Sequence, residues 1–302
     1  MDQKILTTTV RPTDLPPLKV AATHYVSAKS TGPDDPVFFC LPGGGLSRRY
    51  FDLGESDGVN FSFAARMTAL GADIICADHI GIGDNATPDD FPQFTPRQAA
   101  QYLSGAAAAF REKIGSRPFI GLGHSMGGFM TMIIQGAQKP FDATAFFGAH
   151  AQGLDWGLTA EEKTFIGRPD ELEAVLLDLT QAKFGAMFVS QPGPSENSSI
   201  FGGETHAINE LLKNASAPLY TPGGLMSMIA GSIMREVQAI NTPIFFAFGD
   251  RDLGGPPQGA AAEFINAPDI RIIVLPETGH NSLGFSSIGQ LCTTLNDWSR
   301  TI

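Results

Sequence analysis

Cysteine is scarce in this chain: 3 among 302 residues, an odd number without the paired spacing of a metal site. A disulfide framework is therefore excluded as the source of the fold. Cys40 and Cys76 fall inside apolar runs and Cys292 in a terminal helical stretch, so all three read as small buried hydrophobes in a reducing, cytoplasmic setting. Positive charge is also short, with 20 Lys and Arg against 31 Asp and Glu and a formal net charge of -11. That balance argues against nucleic acid or an anionic membrane surface as partner. No apolar run approaches the roughly 20 residues of a membrane span. Residues 1–11 lack the apolar core of a secretory signal. There is no H-x-x-x-H and no Cys/His cluster, so no metal is expected. The glycine turns do not spell G-x-G-x-x-G, and G-x-x-x-x-G-K-[ST] is missing, which removes a dinucleotide cofactor and nucleotide hydrolysis. No cofactor of any kind is expected.

Hydrophobic residues are plentiful at 43%, with 17% charged, enough for a sizeable core. Ile5–Val10 and Leu18–Ala28 read as an antiparallel pair across the turn at Pro12–Pro17. Continuous apolar runs then predict strands at Val37–Leu41, Ala72–Ala77, Phe119–Leu122, Ala143–Ala149, Pro243–Phe248 and Ile270–Leu275. Helical stretches alternate with them at Phe61–Leu70, at Pro96–Lys113 with Thr95 as N-cap, at Phe129–Ala137 and at Ser286–Ser299. Alternation of this kind predicts a mostly parallel, doubly wound α/β sheet. From 153 to 240 the rhythm changes. Helices are expected at Glu171–Phe184, Ala207–Asn214 and Leu225–Ile240, with breaks at Gln191–Pro194 and Pro222–Gly224.

The stretch that organises the chain is Gly123-His-Ser-Met-Gly127, a G-x-S-x-G between a strand and a helix. Side chains at 123 and 127 would collide in so tight a turn. The turn lifts the Ser125 hydroxyl clear of the sheet and sets the Met126 N–H at the positive end of a helix, where an oxyanion would be stabilised. Two further loops follow strands: Gly249-Asp-Arg-Asp252 and Thr278-Gly-His280. In a parallel sheet the strand C-termini share one edge, so Ser125, Asp250 or Asp252, and His280 reach the same rim. A serine hydroxyl becomes a useful nucleophile when an imidazole takes its proton and a carboxylate holds that imidazole. His150 also ends a strand at this rim and is placed to touch substrate, whereas His124 and His79 read as packed or bracing residues.

With these motifs in this order, the chain resembles the α/β-hydrolase superfamily over nearly its whole length. The matching residues are the Gly123–Gly127 elbow, Leu41-Pro-Gly-Gly-Gly45, Asp78-His-Ile-Gly-Ile-Gly-Asp84, Gly249–Asp252 and Gly279-His280. The resemblance implies an eight-stranded, mostly parallel sheet flanked by helices. It divides the chain into a core domain, 1–152 and 241–302, and a helical cap, 153–240, inserted after the sixth strand. It implies Asp252 as the acid, with Asp250 second, and an oxyanion hole from the N–H groups of Met126 and Gly44, with Gly45 the alternate. Pro42 departs from the family, where His commonly precedes the glycines. Gly45, His150, Met226 and Phe188 become candidate substrate contacts. A cap rich in Met and Phe favours an apolar substrate, unless those side chains only pack the cap onto the core.

The activity so implied is serine-dependent hydrolysis of a carboxylic ester or lactone through an acyl-enzyme on Ser125. The partner would be a small apolar molecule, and a homodimer is compatible with the chain. The same site could serve acyl transfer, thioester hydrolysis or C–C bond hydrolysis, and a non-catalytic ligand receptor is the alternative from another class.

Overall fold

The structure, a computed structural model, describes residues 2–29, 32–154, 157–191, 201–253 and 257–302. Eight strands form one sheet: β1 Asp2–Val10, β2 Leu18–Val26, β3 Val37–Leu41, β4 Asp73–Ala77, β5 Phe119–His124, β6 Ala143–Phe147, β7 Ile244–Gly249 and β8 Ile270–Leu275. They lie in the order β1-β2-β4-β3-β5-β6-β7-β8. β1 pairs antiparallel with β2, and β2 antiparallel with β4. Every other pairing is parallel. This is the α/β-hydrolase architecture.

The unbroken apolar strands follow from a sheet covered on both faces. In β3 the side chains alternate: Val37, Phe39 and Leu41 join one core, and Phe38 and Cys40 the other. The first core lies under α2 (Pro96–Ile114) and α3 (Met126–Gln138). The second lies under α1 (Phe63–Ala69) and the C-terminal helix α9 (Ile288–Ser299). Thr95 caps α2 with a full capping box to Gln98, and Ser62 caps α1 by accepting from the Ala65 N–H. The three cysteines are buried and free.

Between β6 and β7 the chain is mainly helical: α4 Ala160–Lys163, α5 Pro169–Phe184, α6 His206–Asn214, α7 Thr221–Met228 and α8 Met234–Ala239. A two-residue ribbon pairs Phe188–Val189 with Leu219–Tyr220. Two expectations are corrected here. Pro222–Gly224 does not break a helix but sits in the first turn of α7, where proline lacks no needed N–H. The single helix expected over Leu225–Ile240 is two, because Gly231 turns the chain with φ +74° between α7 and α8. α8 packs on α3: a Cβ on Gly136 would stand 2.2 Å from the Glu236 carbonyl oxygen. The expected break at Gln191–Pro194 falls mostly outside the described residues.

Candidate active site

Ser125 stands between β5 and α3 with φ 51° and ψ -122°, a conformation L side chains rarely adopt. Its surroundings over-determine it. The Ser125 N–H donates to the Phe147 carbonyl at 2.9 Å, tying the turn to the end of β6. A Cβ on Gly123 would lie 2.2 Å from the Gly127 carbonyl oxygen, and one on Gly127 would lie 2.2 Å from that of Leu41. Hydrogen is what fits at both places.

β7 and β8 deliver the partners. The Ser125 hydroxyl donates to His280 Nε2 at 2.8 Å, and His280 Nδ1–H donates to Asp252 Oδ1 at 2.5 Å. The carboxylate thereby sets the tautomer in which Nε2 accepts. The imidazole and the carboxylate are each 6% exposed, so the pair is shielded from water. Burial alone would raise the Asp252 pKa, but the hydrogen bond and charge of His280 and the Leu253 N–H outweigh it and hold the carboxyl below its ordinary range. The two aspartates divide cleanly. Asp250 accepts from the backbone N–H groups of Glu277, at 2.8 Å, and Thr278, at 2.9 Å, and so braces the loop that carries His280.

Two buried histidines hold the surrounding loops. His124 Nε2–H donates to the His280 carbonyl at 2.8 Å, and its ring lies between those of Tyr50 and His280, with centroids 4.6 and 4.9 Å away. His79 Nε2–H donates to the Pro42 carbonyl at 2.8 Å and fixes the start of the glycine turn. That is the bracing position expected of it. Burial lowers the pKa of both, that of His79 to about 4.

Met126 opens α3, so its N–H is one of the helix-start donors without an intrahelical acceptor. The glycine turn runs beside it. A Cβ on Gly43 would lie 3.3 Å from Ser125 Cβ, and one on Gly44 would lie 3.6 Å from Met126 Cβ. Gly44, Met126 and Ser125 are thus brought together. At Gly45 the carbonyl accepts from the Ala217 N–H, and a Cβ would lie 3.4 Å from Gln191 Cγ.

A model of the alpha/beta hydrolase family matches residues 38–287. The chain belongs to the alpha/beta hydrolase family. Solved structures of similar fold include an esterase of Thermogutta terrifontis with malate bound, 16% identical with a TM-score of 0.62, covering 99% of this chain and 98% of its own. The peroxisomal alpha-beta-hydrolase Lpx1 of Saccharomyces cerevisiae is 14% identical, with a TM-score of 0.62 over 100% of this chain and 90% of its own. The esterase domain of a Rhodothermus marinus protein is 15% identical, with a TM-score of 0.53 over 99% and 98%. No curated protein matches the sequence significantly. Membership of the family supports a hydrolase.

In this alpha/beta hydrolase a cavity of about 40 Å³ opens onto Ser125 and His280, with Phe129, Leu154, Phe248 and His150 among its walls. Of the side chains expected to contact substrate, His150 alone lines it. Met226 is fully buried in the core beside α3. Phe188 packs its ring on Phe94 and Tyr220 and over Gly81, where a Cβ would lie 2.0 Å from the ring. Met226 thus packs the core, whereas the half-buried Phe188 rests over Gly81, and sequence periodicity cannot separate either position from a substrate wall. Two residues beside His280 and Asp252 were not foreseen. Gly148, at φ +56°, leaves room for the bonded Asp252 and His280 side chains, since a Cβ there would stand 2.8 Å from Asp252 Oδ2. Phe201 sets its ring edge-on to His280 at 5.8 Å. A glycine just after an apolar strand was the available signal for the first. Among the described residues, no helix is long and apolar enough to cross a membrane, and no cluster of three or more His, Cys, Asp or Glu could hold a metal.

Proposed function

We propose that the protein is a serine hydrolase of carboxylic esters or lactones. The carrying observation is the hydrogen-bonded chain from Ser125 Oγ through the His280 ring to Asp252. Ser125 attacks the carbonyl while His280 takes its proton, and Asp252 steadies the imidazolium that forms. The N–H groups of Met126 and Gly44 receive the developing oxyanion. His280 then returns the proton to the leaving alcohol, and water repeats the sequence on the acyl-enzyme. With a lactone the alcohol stays tethered to the acid. The segment 153–240 acts as a cap: Leu219 lies over Gly44, Phe188 over Gly81 and Phe201 against His280, so apolar side chains bound the entrance. Three unpaired, buried cysteines accord with a cytoplasmic setting.

Turnover of an ester, thioester and lactone panel, read as free acid by mass, tests this reading together with fluorophosphonate labelling. Ester or lactone turnover and labelling at Ser125 are expected, and Ser125→Ala should lower kcat by roughly 10⁴- to 10⁶-fold. Transfer to an added alcohol in place of hydrolysis would replace the hydrolase with an acyltransferase. An unlabelled Ser125 in the folded protein would favour a ligand receptor.

A further inference from the structure

His150 lines the Ser125 cavity and takes no part in acyl transfer. The other polar side chains of the cavity are committed. Ser125, His280 and Asp252 are bound to one another, and the Ser227 hydroxyl donates to the Gly224 carbonyl at 2.8 Å. His150 differs. Its Nδ1 accepts the Gln152 backbone N–H at 3.2 Å, and the Gln152 side chain is itself anchored on the Gly259 carbonyl at 2.9 Å. A ring nitrogen that accepts carries no proton, so the hydrogen is on Nε2. Among the described residues Nε2 has no partner. Burial lowers the His150 pKa, with the His280 charge acting the same way and Asp252 opposing both. Burial thus favours the neutral ring, whose N–H is uncharged. Phe248 supports it, with ring centroids 6.4 Å apart.

Water can satisfy such a donor while the cavity is empty. A substrate group that enters this cavity displaces that water. An alkyl ester would then leave the N–H unpaired, whereas an ester carrying an oxygen in reach would not. The penalty for an unmet buried donor is what makes polar recognition selective. On the hydrolase reading above, we propose that His150 selects substrate by donating from Nε2 to a second, uncharged oxygen within a few bonds of the scissile carbonyl. The class taken is hydroxy-, oxo- or alkoxy-substituted esters and lactones in preference to plain alkyl esters.

Matched methyl esters test this, each hydroxy or oxo compound paired with the branched hydrocarbon isostere, with the oxygen placed in the acyl chain or in the alcohol. The wild type should favour at least one oxygenated member by roughly 10- to 100-fold in kcat/KM. In His150→Phe, which keeps a ring without the donor, that ratio should fall towards one, and His150→Gln should recover part of it. His150→Leu set against His150→Gln repeats the comparison should the phenylalanine variant not fold. Calorimetric binding of the same pairs to Ser125→Ala separates selection from chemistry. Selective binding without wild-type turnover would sink the hydrolase reading and leave His150 in place. No preference anywhere in the wild-type panel, or a preference that survives in His150→Phe, overturns the proposal.

Discussion

Ser125 keeps a backbone that costs about 1–3 kcal/mol, and it does so because glycines on either side let three loops close on it. At residue scale the motif between strand and helix pointed to Ser125, the loops after apolar strands to His280 and two aspartates, and the family resemblance put Asp252 first. In the structure Asp250 turns back onto Glu277 and Thr278 while Asp252 reaches the imidazole. His79 carries a prediction at this scale. Its folded pKa is depressed from the usual 6.5 to about 4, so the unfolded chain binds a proton in that window that the folded chain refuses. Its contribution is complete above pH 6.5 and is lost as the pH falls towards 4, up to about 3 kcal/mol. Urea midpoints measured from pH 7 to 4 should fall accordingly. His79→Gln, which does not titrate, should flatten that slope and leave the shares that His124, His150 and the buried carboxylates supply.

At the scale of elements, apolar runs and capping signals placed all eight strands and most helices to within a few residues. The failures were in the helical insertion, where Pro222 opens a helix and Gly231 divides one. The insertion meets the core through glycines. At Gly81 the φ is +88° and the Phe188 ring occupies the space a side chain would need. Gly81→Ala should therefore cost about 2 kcal/mol, combining left-handed strain with displacement of the ring. Chemical denaturation would give the loss, and limited proteolysis near Phe188 should quicken. Adding Phe188→Leu should recover part of the stability, and no recovery would place the cost in the backbone alone.

For the molecule as a whole, Arg97 on α2 joins parts that lie far apart in sequence. Its guanidinium meets Glu236 of α8 at 2.6 Å, Glu173 of α5 at 2.5 Å and the Ser232 carbonyl at 2.9 Å. The Glu236 side chain is 9% exposed, so removing Arg97 strands a carboxylate. Arg97→Met is expected to lower stability by about 3 kcal/mol, and Arg97→Met with Glu236→Gln by clearly less, as read from thermal or urea unfolding. Equal losses in the two would mean that packing of the arginine stem, not charge, is what Arg97 supplies. By itself the sequence determined the layered sheet, the rim at which Ser125 and His280 arrive and the glycines that cannot be replaced, because periodicity and turn chemistry are local properties. Tertiary structure alone decided how each aspartate is bonded, that Met226 is buried in the core while Phe188 lies over Gly81 and His150 lines the cavity, and where the insertion rests. Those outcomes depend on distances between segments that are not neighbours in sequence, 28 residues apart for Asp252 and His280, and no local pattern encodes them.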